Sequence, residues 1–216
     1  MVTTIDAKGV YYKELNGMVQ EAVNGGAERI VLDNVNGQRF IGSRLNTPVH
    51  MEIRGVPGND LGAFMDGSTI IVRDNAQDAV GNTMNTGKIV IHGHAGDAIG
   101  YAMRGGKLFI KGDVGYRVGI HMKEYEDFVP AIVIGGTAGS FLGEYMAGGV
   151  LVILGLNRQK GQPIAGDYLG TGMHGGVIYV RGEVDETRIG KEVSVFDLDE
   201  KDYVKLDMYL QEYCTD

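Results

Sequence analysis

Gly87-Lys-Ile-Val-Ile-His-Gly93-His-Ala-Gly96-Asp-Ala-Ile-Gly100-Tyr-Ala-Met103-Arg-Gly105 is followed at once by Gly106-Lys-Leu-Phe-Ile-Lys-Gly112-Asp-Val-Gly115-Tyr-Arg-Val-Gly119. The second phrase repeats the first, with Gly93 and Gly112, Gly96 and Gly115, and Gly100 and Gly119 each 19 residues apart. A fixed period near 20, with one short β-branched run per unit, is the signature of a solenoid whose coils stack through their strands.

Outward from this pair, the last residue of each apolar run serves as an origin: Asn34, Gly55, Asp74, Gly93, Gly112, Gly136, Gly155 and Gly182. Two intervals are long, so two coils carry insertions, in Lys123–Pro130 and in Leu156–Ala165. Two residues before the origins stand Leu32, Ile53, Val72, Ile91, Ile110, Ile134, Ile153 and Val180. Four before stand Ile30, Met51, Ile70, Ile89, Leu108, Ile132, Leu151 and Ile178. Alternate residues of a strand share a face, so these columns predict the solenoid interior. Three after the origins come Gly58, Gly96, Gly115 and Gly139, and seven after come Gly62, Gly81, Gly100, Gly119 and Gly143, with Gly170 in register after the second insertion. Glycine belongs where a corner needs positive φ or where coils approach too closely for a Cβ. Met65, Met84, Met103, Met122, Met146 and Met173 fall in one register. A soft-metal ladder is one reading of them. Filling an irregular core corner is the better one, since no cysteine joins the ladder.

Tyr12–Asn24 places Leu15, Met18, Val19, Ala22 and Val23 at helical spacing and is expected to cap the first coil. Residues 1–9 read as a short strand or an ordered arm. After Gly182 the repeat is lost, and Asp202–Tyr213 reads as a closing helix. The expected layout is one all-β domain over 1–216, a single-stranded right-handed parallel β-helix with short capping helices at the termini. It divides into an N-terminal strand and helix cap (1–29), glycine-repeat coils (30–182) and an acidic helical tail (183–216).

The chain holds 20 Lys and Arg against 28 Asp and Glu, a net charge of −8, which argues against nucleic acid or an anionic membrane as partner. The one cysteine, Cys214, permits no intrachain disulfide and fits a reducing compartment. The start lacks a basic and apolar leader pattern, and no apolar run reaches the ~18 residues of a membrane helix. The expectation is a cytoplasmic protein.

No catalytic, cofactor-binding or metal-binding residue emerges from the pattern. The Gly-x2-Gly-x3-Gly phrase recurs coil after coil and leads into a strand, whereas a phosphate loop occurs once and opens a helix. No Asp or Glu stands on a rung neighbouring His50, His92, His94, His121 or His174 in a way that suggests a metal site or an acid–base pair, and all five read as structural or surface residues. Asp60, Asp78 and Asp97 recur near one turn register, where turn chemistry accounts for them. The outer strand column is less ordinary. Ile71, Val90, Phe109, Val133, Val152 and Tyr179 point away from the interior yet are all apolar, and Arg54, Arg73, His92, Lys111 and Arg181 border them. Such a strip is seldom left bare, which makes it the candidate interface. Its expected cover is a partner or a second copy, because the terminal helices suit the two ends of the solenoid.

Gly37-Gln-Arg-Phe-Ile-Gly42, Asn75–Met84, Gly93–Gly106 and Gly170-Thr-Gly-Met-His-Gly-Gly176 resemble the C-terminal glycine-repeat (GXGXG) domain of the glutamate synthase large subunit, in a stand-alone form; the likeness runs from about Ile5 to Gly182. A related repeat occurs in one of the subunits of formylmethanofuran dehydrogenase. The resemblance implies a parallel β-helix with no catalytic role and no cofactor of its own. It implies a structural subunit of an oxidoreductase complex in glutamate biosynthesis, associating with amidotransferase and FMN synthase subunits or with itself. A formylmethanofuran dehydrogenase-like scaffold is the alternative, and a free-standing β-helix enzyme on a carbohydrate is the rival from another class.

Overall fold

The computed structural model describes residues 1–216. Nine strands form one parallel sheet in strict chain order: β1 (Val2–Asp6), β2 (Arg29–Asn36), β3 (His50–Val56), β4 (Thr69–Val72), β5 (Lys88–Ile91), β6 (Lys107–Ile110), β7 (Ala131–Ile134), β8 (Ala147–Ile153) and β9 (Gly175–Val180). Each strand pairs only with its sequence neighbours, as in a solenoid with one strand per coil. Helix α1 (Tyr12–Asn24) follows β1, and helix α2 (Glu200–Thr215) closes the chain.

The register follows the columns read from the sequence. Ile30 pairs with Met51, then Ile70, Ile89, Leu108, Ile132, Leu151 and Ile178 in turn. β1 is itself a rung, with Thr3 on Ile30 and Ile5 on Leu32, so the first coil starts before the repeat becomes visible. The two interior columns, the methionine column and Leu61, Val80, Ile99, Val118 and Leu142 form one cluster of 41 buried residues, against which the half-buried Met173, Ile178 and Val180 of the last coil pack. Met65, Met84, Met103, Met122 and Met146 are fully buried, and Met173 packs at the last coil. Leu15, Val19 and Val23 of α1 join the same cluster at its first coil.

The corners hold two kinds of glycine. Gly100 has φ +68°, and a Cβ there would overlap Cδ1 of Ile132, an interior residue of a later coil. The crowding therefore comes from the interior strand column; the stacked glycines Gly81 and Gly119 are not what a Cβ on Gly100 would meet. Gly96 has ordinary φ, and a Cβ there would collide with the Asp78 carboxylate from the preceding coil. Each corner is also more left-handed than its glycines reveal, because Ala98 (φ 54°) and Ala102 (φ 50°) flank Gly100 in the same region. All three positions take the αL backbone, which strains the two alanines and not the glycine; only the middle one also has no room for a side chain.

Candidate functional surfaces

The polar residues of the corners are tied to one another along the stack. Asp78 Oδ1 accepts from the Asp97 N–H (2.9 Å) and Asp97 Oδ1 from the Tyr116 N–H (2.8 Å). Asp60 accepts from Asn82 Nδ2 (3.0 Å). A second ladder runs from Asn75, whose Oδ1 accepts from the His94 N–H (2.7 Å), through His94 Nδ1, which accepts from the Asp113 N–H (2.9 Å), to Asp113 Oδ1, which accepts from the Thr137 N–H (2.7 Å). All but Asp60, whose partner is a side-chain amide, satisfy a backbone donor of the next coil, a structural use of polar chemistry.

The histidines are scattered. His92 Nε2 lies 3.0 Å from Arg73 Nη1 and accepts from it as a neutral ring; burial and then the Arg73 charge hold its pKa below the usual imidazole range. His50 is lowered by burial and then by Arg29. His121 stacks on Tyr145 at 5.3 Å between ring centroids, and His174 Nδ1 lies 3.2 Å from the Gly172 carbonyl. No group of three or more His, Cys, Asp or Glu side chains is placed to hold a metal ion. A cleft of about 240 Å³ opens at the end of the stack against Ile164, Leu169, Val180 and Ile189. Its Arg188 already bridges Asp167 (3.3 Å) and Asp185 (3.4 Å).

The outer strip departs from the sequence expectation. Val90, Phe109, Val133, Val152 and Tyr179 are buried, and α2 lies along them; only Ile71, beyond the end of the helix, remains half-buried. The candidate interface is thus occupied within the chain, and α2 runs along the side of the solenoid instead of over its end. The reason is chemical fit. Tyr209 and Tyr213 are buried against the strip, with Leu206 and Leu210 beside them at i, i+3, i+4 and i+7 spacing. Phe109 meets the Tyr213 ring edge-on at 5.9 Å. Burial pushes the Tyr213 hydroxyl up to about 12, and burial followed by the Glu212 charge raises Tyr209.

The basic border of the strip divides by position. Lys88 binds Asp216 (2.6 Å) and Glu212 (3.4 Å), Lys107 binds Glu212, and Lys111 donates to the Tyr213 carbonyl with its ammonium 3.8 Å from the centre of the Tyr213 ring. Three lysines thus gather where the carbonyls of the last helical turn concentrate negative potential. At the other end of α2, Tyr179 donates to Asp202 (2.6 Å), and that bond, followed by the Asp199 N–H, depresses the Asp202 carboxyl. Asp199 and Asp202 close a capping box that starts the helix. Past the helix, Arg54 (3.1 Å), Arg29 (3.1 Å) and Arg73 (3.7 Å) converge on the buried Glu52. Arg181 donates to the Leu154 carbonyl (3.2 Å).

The repeating glycine corners, parallel rungs and flanking helix define a β-solenoid whose recurrent residues are committed to stacking. The model of the GXGXG motif family matches residues 26–216, and the chain belongs to that family. A relative from Methanocaldococcus jannaschii, described as an uncharacterised protein, is 50% identical over 216 residues, covering 97% of this chain and 82% of its own length. Among solved structures, a chain of the formyltransferase/hydrolase complex of Methylorubrum extorquens, crystallised with methylofuran, superposes with a TM-score of 0.70. It is 22% identical, and the match covers 97% of this chain and 84% of that one. No helix here is long and apolar enough to cross a membrane.

Proposed function

We propose that this chain is a non-catalytic structural subunit that holds catalytic subunits of a multi-subunit complex in register. The observation that carries this reading is where the polar side chains go. The acids and His94 of the corners are engaged by backbone donors of the adjacent coil, and the acids and lysines of the outer face are engaged by α2 or by each other. Little chemistry is left to converge on a substrate, and the long, regular surface of a solenoid suits the joining of other proteins.

Two assemblies fit this role. A formylmethanofuran dehydrogenase-like assembly is favoured by the likeness along nearly the whole chain to a component of the formyltransferase/hydrolase complex. A glutamate synthase assembly, with separate amidotransferase and FMN synthase subunits, is favoured by the glycine phrases Gly93–Gly106 and Gly170–Gly176. Affinity purification of the chain from its native cell, followed by mass spectrometry, separates them by the subunits recovered. Recovery of the chain alone at low ionic strength would overturn the scaffold reading. The isolated chain is also expected to lack glutaminase activity, NAD(P)H oxidation and flavin or iron–sulfur absorbance; reproducible glutamine turnover by the pure chain would contradict it.

A further inference from the structure

The sheet has two hydrophobic clusters that share no residue. The interior cluster of 41 residues includes α1 and excludes α2 entirely. The outer cluster of nine consists of strip residues from β5–β9 plus Tyr209 and Tyr213, with Leu206 and Leu210 packed against it. Removing α2 would therefore leave every interior contact in place, as well as every hydrogen bond between strands.

The connection to α2 is built for movement. Between β9 and α2 stand a 3-10 turn at Glu186–Arg188 and a parallel bridge of Ile189 to Leu169, which tie the chain to the last coil and leave Ser194–Asp199 as the free connection. Ser194–Asp199 has no secondary structure, and every residue from Ser194 to Glu200 is exposed. α2 carries its own capping box, so it can leave as a formed helix. Part of what fixes its last turn is electrostatic, from Lys88, Lys107 and Lys111, and of these contacts the more exposed Lys107–Glu212 pair is more open to screening by salt than Lys88–Asp216.

We infer that α2 is a detachable strap, and that the strip beneath it on β5–β9 is a docking groove for a partner's amphipathic helix. Five rungs at ~4.8 Å make the groove about 19 Å long, the length of roughly thirteen helical residues. The groove specifies its occupant. The partner helix presents Tyr- or Leu-sized residues at i, i+3, i+4 and i+7 toward Phe109, Val133 and Val152. It carries carboxylates in its last turn for Lys88 and Lys107, as α2 does with Glu212 and Asp216. α2 then shields the strip until assembly. The docking half of this inference rests on the scaffold reading; the strap itself does not.

Hydrogen exchange on the full chain tests the strap. Amides of α2 are expected to exchange at least ~100-fold faster than those of β6 and β7, by local opening. In the double variant Lys88→Gln, Lys107→Gln, α2 amides should exchange a further ~10-fold faster while the strand amides are unchanged. Equal protection of α2 and the strands in the native chain would overturn the strap, whatever the variant does. A fluorescent peptide copying residues 197–216 tests the groove. It is expected to bind more tightly to the full chain carrying Glu212→Gln and Asp216→Asn, which weaken the strap and leave Lys88 and Lys107 in the groove, than to the native chain, and to lose binding when the peptide's own Tyr209 and Tyr213 are replaced by serine. No binding at any salt concentration would overturn the docking half. Peptide binding without any co-purified subunit would leave the strap and groove standing and sink the scaffold reading.

Discussion

At the scale of single residues, the corner of each coil separates two costs that a sequence shows as one. Gly100, Ala98 and Ala102 all sit in the left-handed region, but only Gly100 also faces the interior side chain of Ile132. Gly100→Val should therefore cost more than ~2 kcal/mol, combining backbone strain with overpacking. Ala98→Gly, which relieves strain and removes only a half-buried methyl, should lie between neutral and ~1 kcal/mol stabilising. Chemical denaturation of the two variants beside the native chain checks both signs. An unchanged midpoint for Gly100→Val would show that Ile132 can retreat from the corner. The glycine column was legible in the sequence because the steric demand on the middle residue admits one amino acid. Its left-handed neighbours left no trace, because outward-facing positions accept alanine, arginine, phenylalanine or tyrosine at a cost of strain alone, as Ala98, Arg117, Phe141 and Tyr168 do on successive coils.

At the scale of elements, every rung from β2 to β9 was readable, since the period-two columns fix register even where two insertions lengthen the coil. β1 was visible only as a short extended segment, for it lacks the glycine phrase that marks the later coils. The place of α2 was the real gap. Its apolar spacing and the apolarity of the outer strip were both on view, yet the exposed connection before it carries no pattern that says where the helix lands. The buried tyrosines make that landing testable by pH. Tyr213 holds its proton to about 12 in the folded chain, above the ordinary phenol value of ~10. A raised folded value means that its contribution to stability is complete below pH ~10 and is lost as pH rises through about 12. Tyr209 and Tyr179 shift the same way, by burial first in both cases. Helical circular dichroism should therefore fall between pH ~10 and ~12, in step with the late part of the tyrosinate absorbance and while the strand signal persists. Titration of all eleven tyrosines together near pH 10 would place α2 off the strip.

At the scale of the whole molecule, a solenoid is stabilised through nearest neighbours, and this has a consequence that ordinary globular folds do not share. β3, β4 and β5 follow one another at a constant offset of nineteen residues, with His50 on Thr69 and Thr69 on Lys88. Deleting Thr69–Gly87 removes one full coil and joins Ser68 to Lys88. Lys88 then takes the place of Thr69, whose N–H donates to the Val49 carbonyl. Met51 meets Ile89 where it met Ile70, and Ile53 meets Ile91 where it met Val72, so the interior columns close over the gap. The buried residues under α2 are kept, because that part of the strip begins at Val90, although Ile71 at its edge is lost and Glu52 takes its place beside Val90. The losses are one rung of core, the hydrogen bonds of Arg73, Asn75 and Asp78 with the next coil, and the Arg73 contact to Glu52, which keeps Arg29 and Arg54. The shortened chain should fold, keep its helical and strand signals, and melt several degrees below the native chain. Deleting only Thr69–Asp78 removes about half a coil, turns interior residues onto corners, and should give no cooperative transition at all. If both deletions fold equally well, or both fail, stability is not passed from rung to rung, and the side-by-side stacking of β3, β4 and β5 is not what holds this chain together.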